Sequence, residues 1–565
     1  MQPPTPNDPA NPDGLTRVEA SIEGAGTAMP PPPARRLRKA VVIVVASLVG
    51  LAGVAAAASF MALRGSSETL TTKLPADTDV VVTAYLDPAA SQKVNLFRLT
   101  SAFPSLGDEA TVTGRAGDWV DQMLNAAGLS HTDLDWVGSQ VAVAVDVRSD
   151  GDPAVAVLVD ATNEADADAS LTRLRDGPLF TATKWSQEDH GGVRTWVGDD
   201  GYQQAYMGIV DGTVVIANDD AIFDGIVATS NGVDPSLADD QSFTDTMKGL
   251  PEARLGMLYV APADLLAQVN RTQGTGVSDL GTAAGLDPAA VRGIGLAVSA
   301  EPGALAVDAE VTIDPSKLTP EQLDAYGAPD HENTQLAKVP ADALGFLGVQ
   351  HLDAGLDAAL ADLPSDQRVA LDQSGLEPAI ASLTGDIAVE ISKQASASAP
   401  AGALMIGTGD EQAMATALRV ASQTVWGAVV FDSAPPMTWK TVEHDGVTVA
   451  YLPGDGSGLG LAPAYAVFDG TGLLASSKEE AFRIIDTAHG APNAMSSDAA
   501  STALADVPDS EQVMYLDLQG IVNAVANTGM MDPEIRGDLA ALHTLVAGSQ
   551  NDTTHQHARL VLRAG

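Results

Sequence analysis

Cysteine is absent from this 565-residue chain. That excludes a disulfide framework, a thiolate nucleophile and any Cys-ligated zinc or iron–sulfur centre. Basic side chains are scarce: 30 Lys and Arg stand against 74 Asp and Glu, a net charge of −44. A nucleic-acid partner needs a basic face to displace counterions, so that class is excluded as well. Aromatic residues make up 4% of the chain, too few for stacking platforms that hold sugars or bases. Hydrophobic residues reach 45%, enough for globular packing, and the length implies two or more folded units.

The chain opens on a segment that cannot fold alone. Residues 1–39 are crowded with Pro (Pro3, Pro4, Pro6, Pro9, Pro12 and the run Pro30 to Pro33) and small polar residues, and bury too little apolar surface to offset chain entropy. They read as a disordered tail, locally extended at the proline run. Arg35, Arg36, Arg38 and Lys39 follow, then an uncharged stretch from Ala40 to Leu63 interrupted only by Ser47 and Ser59. As a helix it would span about 36 Å, enough to cross a hydrocarbon core with some tilt. Four cations precede it and Arg64 alone follows. This asymmetry predicts a cytoplasmic N-terminus, a single transmembrane helix over 40–63 and an extracytoplasmic remainder at the plasma membrane. The rival reading is a signal peptide cleaved near Ala56 and Ala58; the long preceding segment and the long apolar run argue against it. Residues 1–39 carry five basic and four acidic side chains and 40–63 none, which leaves 25 Lys and Arg against 70 Asp and Glu beyond the run. So acidic a surface stays soluble and repels anionic lipid.

Beyond a juxtamembrane linker at 64–73, the sequence repeats itself. Leu74-Pro75-Ala76-Asp77 returns as Val339-Pro340-Ala341-Asp342, and Gln140 to Val147 matches Asp386 to Ser392. Ile209 to Ala221 matches Val467 to Glu479, with Asp211-Gly212-Thr213 over Asp469-Gly470-Thr471. Leu258 to Val269 matches Met514 to Val525. Four matches in one order predict two homologous lobes, 74–314 and 339–565, joined by a Pro-containing linker at 315–338. Within a lobe, Val80 to Asp87 is β-branched and strand-like, and Ala89 to Ala102, Asp118 to Ala127 and Glu164 to Leu174 read as helices. Hairpin turns are expected at Arg148 to Pro153, Gly191-Gly192 and Asp211-Gly212, with a last strand pair at Gly293 to Glu301 and Ala304 to Ile313. The expected fold class is α+β: in each lobe an antiparallel sheet with helices packed mainly on one face. A doubly wound parallel sheet is the alternative.

LPADTDVVVTAYLDP from Leu74, SQKVNLFRLTSAFP from Ser91 and FTDTMKGLPEARLGMLYV from Phe243 resemble an uncharacterised bacterial family, domain of unknown function 3352. The resemblance covers Leu74 to Ile313 and the second lobe more faintly, where Gln92-Lys93 and Phe103-Pro104 lack counterparts. It implies a Pro-rich cytoplasmic tail, one membrane segment and an extracytoplasmic region, of a type common in actinobacteria. It implies no activity and no catalytic residues.

The search for chemistry is mostly negative. His331-Glu332 is followed by Gln335 where a metalloprotease helix needs its second His. His555 and His557 lie two apart, on one face if the segment is a strand, but no third ligand is evident and a solvent-exposed pair is the simpler reading. Ser457, in Gly454 to Gly460, lacks the glycine two residues before it that a nucleophile elbow requires. Gly293-Ile294-Gly295 lacks the third glycine of a dinucleotide fingerprint. Asp146, Asp150 and Asp152 surround Gly151 without the terminal Glu of a calcium loop, and read as a solvated turn. Of Trp119, Trp136, Trp185, Trp196, Trp426 and Trp439, the pair Trp185 and Trp196 falls on two arms of one predicted hairpin, as sheet packing or as a ligand-facing patch.

No catalytic, cofactor-binding or metal residue is therefore assigned, and no cofactor is expected. The reading is a membrane-anchored envelope protein that binds or scaffolds an envelope protein or lipid, without catalysis. Two alternatives stand beside it. One is an extracytoplasmic hydrolase, which would bring His131, His190, His351 or His444 within reach of a carboxylate and a hydroxyl. The other is a signalling receptor with the Pro-rich tail as output.

Overall fold

A computed structural model describes residues 68–103, 127–147, 153–262, 290–320, 331–352, 375–393, 401–430, 438–453, 462–508, 512–526 and 533–565, with a few isolated positions between them. The predicted tail 1–39, the apolar run 40–63, most of the predicted helix 118–127, all but the last residue of the predicted turn 148–153 and the glycine-rich stretch 454–460 lie outside them. Among the described residues no helix is long and apolar enough to cross a membrane.

Among the described residues twenty strands form one sheet. The first ten are β1 (Val80–Tyr85), β2 (Val137–Asp146), β3 (Ala154–Ala161), β4 (Lys184–His190), β5 (Val193–Asp199), β6 (Gln204–Val210), β7 (Thr213–Ala217), β8 (Gly256–Val260), β9 (Val291–Glu301) and β10 (Ala304–Ile313). The second ten are β11 (Gly345–Val349), β12 (Leu383–Ser392), β13 (Ala401–Thr408), β14 (Lys440–His444), β15 (Val447–Tyr451), β16 (Ala464–Phe468), β17 (Thr471–Ala475), β18 (Gln512–Asp517), β19 (Leu542–Asn551) and β20 (His555–Ala564). Every pairing among them is antiparallel, which excludes the doubly wound alternative.

From one edge the first ten strands run β4-β5-β6-β7-β3-β2-β1-β8-β9-β10. From the other edge the second ten run β14-β15-β16-β17-β13-β12-β11-β18-β19-β20, the same order position by position. Strands β10 and β20 then pair with each other, from Ala304 opposite Arg563 to Thr312 opposite His555, and close the ladder at its centre.

The hairpins follow from turn chemistry. Asp211 and Asp469 both sit at φ 44°, each followed by a positive-φ glycine, the left-handed pair that a tight antiparallel hairpin of right-twisted strands requires. Lys73 Nζ donates to the Asp211 carbonyl and Lys338 Nζ to the Asp469 carbonyl at 3.0 Å, so each turn is held by a lysine just ahead of the repeated Pro-Ala-Asp motif. That motif itself bridges to the same place twice, Pro75 to Ser236 and Pro340 to Asn493.

Helices cover both faces of the sheet, which corrects the expectation of one-sided packing. Beside the first ten strands lie α1 (Ala90–Ser101), α2 (Glu164–Asp176), α3 (Asp220–Ser230) and α4 (Gln241–Lys248). Asn163 caps α2 and Asp219 caps α3, each side chain accepting two backbone N–H groups. On β3, Ala156 and Leu158 point into a core with Ile222, Phe223 and Ile226 of α3. Val157 and Val159 point the other way, into a core with Ala167, Leu171 and Leu174 of α2. Successive strand residues face opposite sides, so the apolar run of β3 needs a helix on each. The second ten strands carry α5 (Glu411–Val430), α6 (Lys478–Ala488), α7 (Asp498–Leu504), α8 (Leu518–Ala526) and α9 (Pro533–Leu539). On β17, Leu473 packs in the core of Ile484 and Ile485 from α6, while a Cβ on Gly472 would lie 2.7 Å from Met414 of α5.

Candidate functional site

A dense cluster of ionisable groups lies on the β10–β20 junction. The alternation of ALAVDAEVTI puts Ala304, Ala306, Asp308, Glu310 and Thr312 on one face of β10. On β20 the same alternation puts His555, His557, Arg559, Val561 and Arg563 on the matching face. The register sets Asp308 opposite Arg559, Glu310 opposite His557 and Thr312 opposite His555. Asp308 and Glu310 are 1% and 4% exposed, so their charges need partners at close range.

Arg559 Nη1 donates to both Asp308 oxygens at 2.9 and 3.2 Å, its Nη2 reaches Glu301, and its Nε donates to the Asp506 carbonyl at 2.9 Å. Arg563 pairs with the Asp506 carboxylate. Among the described residues no guanidinium pairs with Glu310. The Nδ1 of His555 lies 2.8 Å from Glu310 Oε1, and the Nδ1 of His557 lies 3.1 Å from Oε2, so two imidazoles bracket one buried carboxylate. His557 Nε2 also faces Asp308 Oδ1 at 3.8 Å. Its hydrogen bond to Glu310, opposed by partial burial and reinforced by the charges of Glu310 and Asp308, raises its pKa above the ordinary imidazole value.

The two-residue spacing did place His555 and His557 on one face, and they are partly rather than fully exposed. The partner missing from the sequence reading is Glu310, 245 residues earlier, which only the sheet topology brings alongside. Each ring aims its Nδ1 at a different Glu310 oxygen, and among the described residues no group of three or more His, Asp or Glu is arranged to hold a metal ion.

A second cluster lies under α6. Glu390 on β12 and Glu480 on α6 are both buried and face the single guanidinium of Arg483. Arg483 Nη1 donates to both Glu480 oxygens at 2.9 Å and its Nη2 reaches Asp342, while Ser392 Oγ donates to Glu480 at 2.9 Å. Glu390 stays 4.0 Å from Arg483. Burial, with the neighbouring Glu480 carboxylate as the next cause, pushes its pKa up to about 9, so Glu390 is a neutral acid at pH 7.

The remaining histidines tie strands to helices. His190 Nδ1 lies 2.6 Å from Asp224 of α3 and edge-on to Phe223, and His444 Nε2 lies 2.7 Å from Asp486 of α6 and stacks on Phe482. His489 contacts Asp445 at 2.5 Å and Asp469 at 3.3 Å; the hydrogen bond to Asp445 raises its pKa. His331 Nε2 meets Asp386 at 2.7 Å, and Thr334 donates to the other oxygen of that carboxylate. The His351 ring stands 5.0 Å from that of His331, at a backbone φ of 55°. His131 opens a 3-10 turn. Among the described residues no histidine side chain is hydrogen-bonded to a hydroxyl; the side chain of His131 lies outside them.

Trp136, Trp185, Trp196 and Trp439 pack; Trp119 and the side chain of Trp426 lie outside the described residues. Trp136 is buried and its Nε1 donates to the Asp133 carbonyl at 2.7 Å. Trp185 and Trp196 share the β4–β5 hairpin on one face, but offset: their register partners are Gly198 and Gln187. Trp185 meets Phe180 edge-on at 5.5 Å, Arg175 stacks over Trp196 at 4.1 Å, and Trp439 packs against Tyr465. Gly293 and Gly295 lie in β9 beneath α4, where a Cβ would strike Thr246 or Leu250.

A family model described as "Protein of unknown function (DUF3352)" matches residues 40–395, well over half of the chain. The chain belongs to this family. The DUF3352 match begins at the first residue of the apolar run and extends through β1 to β12. No curated protein matches. Two solved structures are similar over part of the chain, both at 10% identity. Crystal form III of TP0453 covers 45% of this chain and 83% of its own at a TM-score of 0.24. Crystal form I of TP0453 covers 45% and 82% at 0.23.

Proposed function

We propose that this chain is a single-pass, membrane-anchored protein of the cell envelope, of the actinobacterial type. Two copies of one α+β unit, 74–314 and 339–565, would form a non-catalytic binding or scaffolding platform outside the membrane. The observation that carries the platform is the repeated strand order joined edge to edge through β10 and β20. At about 4.8 Å per strand the ladder's contour is roughly 90 Å, a length suited to presenting surface rather than enclosing a substrate. Support for the anchor is the uncharged run 40–63 with its four preceding cations, together with a family match that includes the run from its first residue. The polar clusters favour a binding or scaffolding role over hydrolysis, because their hydrogen bonds are spent on ties between elements.

The test is topological. Protease added to intact cells should digest the region beyond residue 64, and alkaline washing should leave the full-length chain in the membrane until detergent is added. Protection of that region, or release of the intact chain by washing, overturns the anchor. Affinity capture from native envelope should then recover a defined protein or lipid; turnover of an envelope ester, amide or glycoside by the purified chain would replace scaffolding with hydrolysis.

A further inference from the structure

The β10–β20 junction is built unlike the other pairings. Its buried face carries four carboxylates (Glu301, Asp308, Glu310, Asp506) and two guanidiniums (Arg559, Arg563), and both guanidiniums are engaged by Glu301, Asp308 and Asp506. Among the described residues, the cations within reach of Glu310 are His555 and His557. From the β19–β20 turn, Asp552 accepts the His555 backbone N–H at 2.7 Å and adds a further negative charge. On the α4 side the Glu310 carboxylate packs against Gly249, and Thr246 bonds Thr312; neither is ionisable. A neutral His557 leaves this buried carboxylate without a cation bonded to it, whereas a protonated His557 supplies one.

We propose that this junction is a proton-dependent joint: charged His557, bonded to Glu310 across the strand pair, holds β20 to β10, and its neutralisation loosens the pairing that unites the two ten-strand sets. The sign follows from the clamp. An imidazole stabilised in its charged form by the fold contributes fully below its unfolded pKa, and the contribution is lost as pH rises through the higher folded value. The direction for His557 agrees. The joint is therefore firm in mild acid and slack in mild alkali.

Hydrogen exchange of the full chain in detergent, at about pH 6 and about pH 8.5 and corrected for intrinsic rates, tests this. Relative to β2–β3 in the same molecule, protection of β10 and β20 should fall about tenfold at the higher pH, which is about 1.4 kcal/mol of opening free energy. Glu310→Gln should abolish that difference. Should Glu310→Gln impair folding, the paired substitution His555→Gln and His557→Gln reads the same quantity and should show equal relative protection at both pH values. Equal relative protection in the unmodified chain, or a pH dependence that survives in either variant, overturns the proposal.

Discussion

Glu390 offers the sharpest test of how the second ten strands are held. The folded chain keeps this carboxyl protonated up to about pH 9, against an ordinary value of 4.5. Between those values the folded state binds a proton that the unfolded state has released, so stability declines as pH rises, by about 1.4 kcal/mol per pH unit. At pH 7 the handicap amounts to about 3 kcal/mol relative to acid. Glu390→Gln removes the ionisable group while keeping its size and a donor toward Glu480. The variant should match the native chain near pH 4.5 and exceed it by up to about 3 kcal/mol at pH 7. A chain of this length need not unfold in one step, so the readout is exchange protection of the β12 and β13 amides across the pH range. If Glu390→Gln instead destabilises β12 by more than about 1 kcal/mol at pH 7 with the native slope intact, Glu390 is an ionised partner of Arg483, and the reasoning is wrong.

Three further outcomes are expected. His489, whose pKa is raised by Asp445, should pin the β14–β15 turn below about pH 6.5 and release it as pH climbs through the raised value. His489→Asn, which copies Asn231 and its bond to the Gly191 carbonyl in the first ten strands, should leave proteolysis at Gly446 insensitive to pH. Gly198→Ala places a methyl 2.8 Å from the Trp185 ring and should cost about 1–3 kcal/mol, seen as a lower melting temperature and a shifted indole emission. Trp136→Phe removes the Nε1 bond to the Asp133 carbonyl and should cost about 1 kcal/mol by the same melt, with no change in emission from Trp185.

Local order was largely legible in the sequence because local chemistry sets it. Asp211-Gly212 marked a hairpin turn, and alternation marked β9 and β10. The helix read at Glu164 to Leu174 extends only to Asp176. Two-sided burial was also written there, since AVAVLV in β3 is a continuous apolar run rather than an alternating one, yet the helices were expected on one face. The polar clusters were harder to see. Glu390 and Glu480 are 90 residues apart and meet only through the packing of α6 on the sheet. The sequence match sets them over Ala144 and Ile222, so an apolar contact in the first ten strands is an acid pair in the second. Abundant acid hid that exchange, as it hid Glu310 beside His555 and His557.

Strand β20 comes last in chain order yet lies in the middle of the ladder. A nascent chain therefore completes β10 and must leave its outer edge bare while more than two hundred residues are made. Strand β19 waits with a bare edge of its own. Until β20 fills the gap, both are templates for pairing with a neighbouring molecule. Loss of the segment from His555 onward would thus do more than shorten the protein: it would leave two sticky fragments of sheet on one tether, and aggregation would follow.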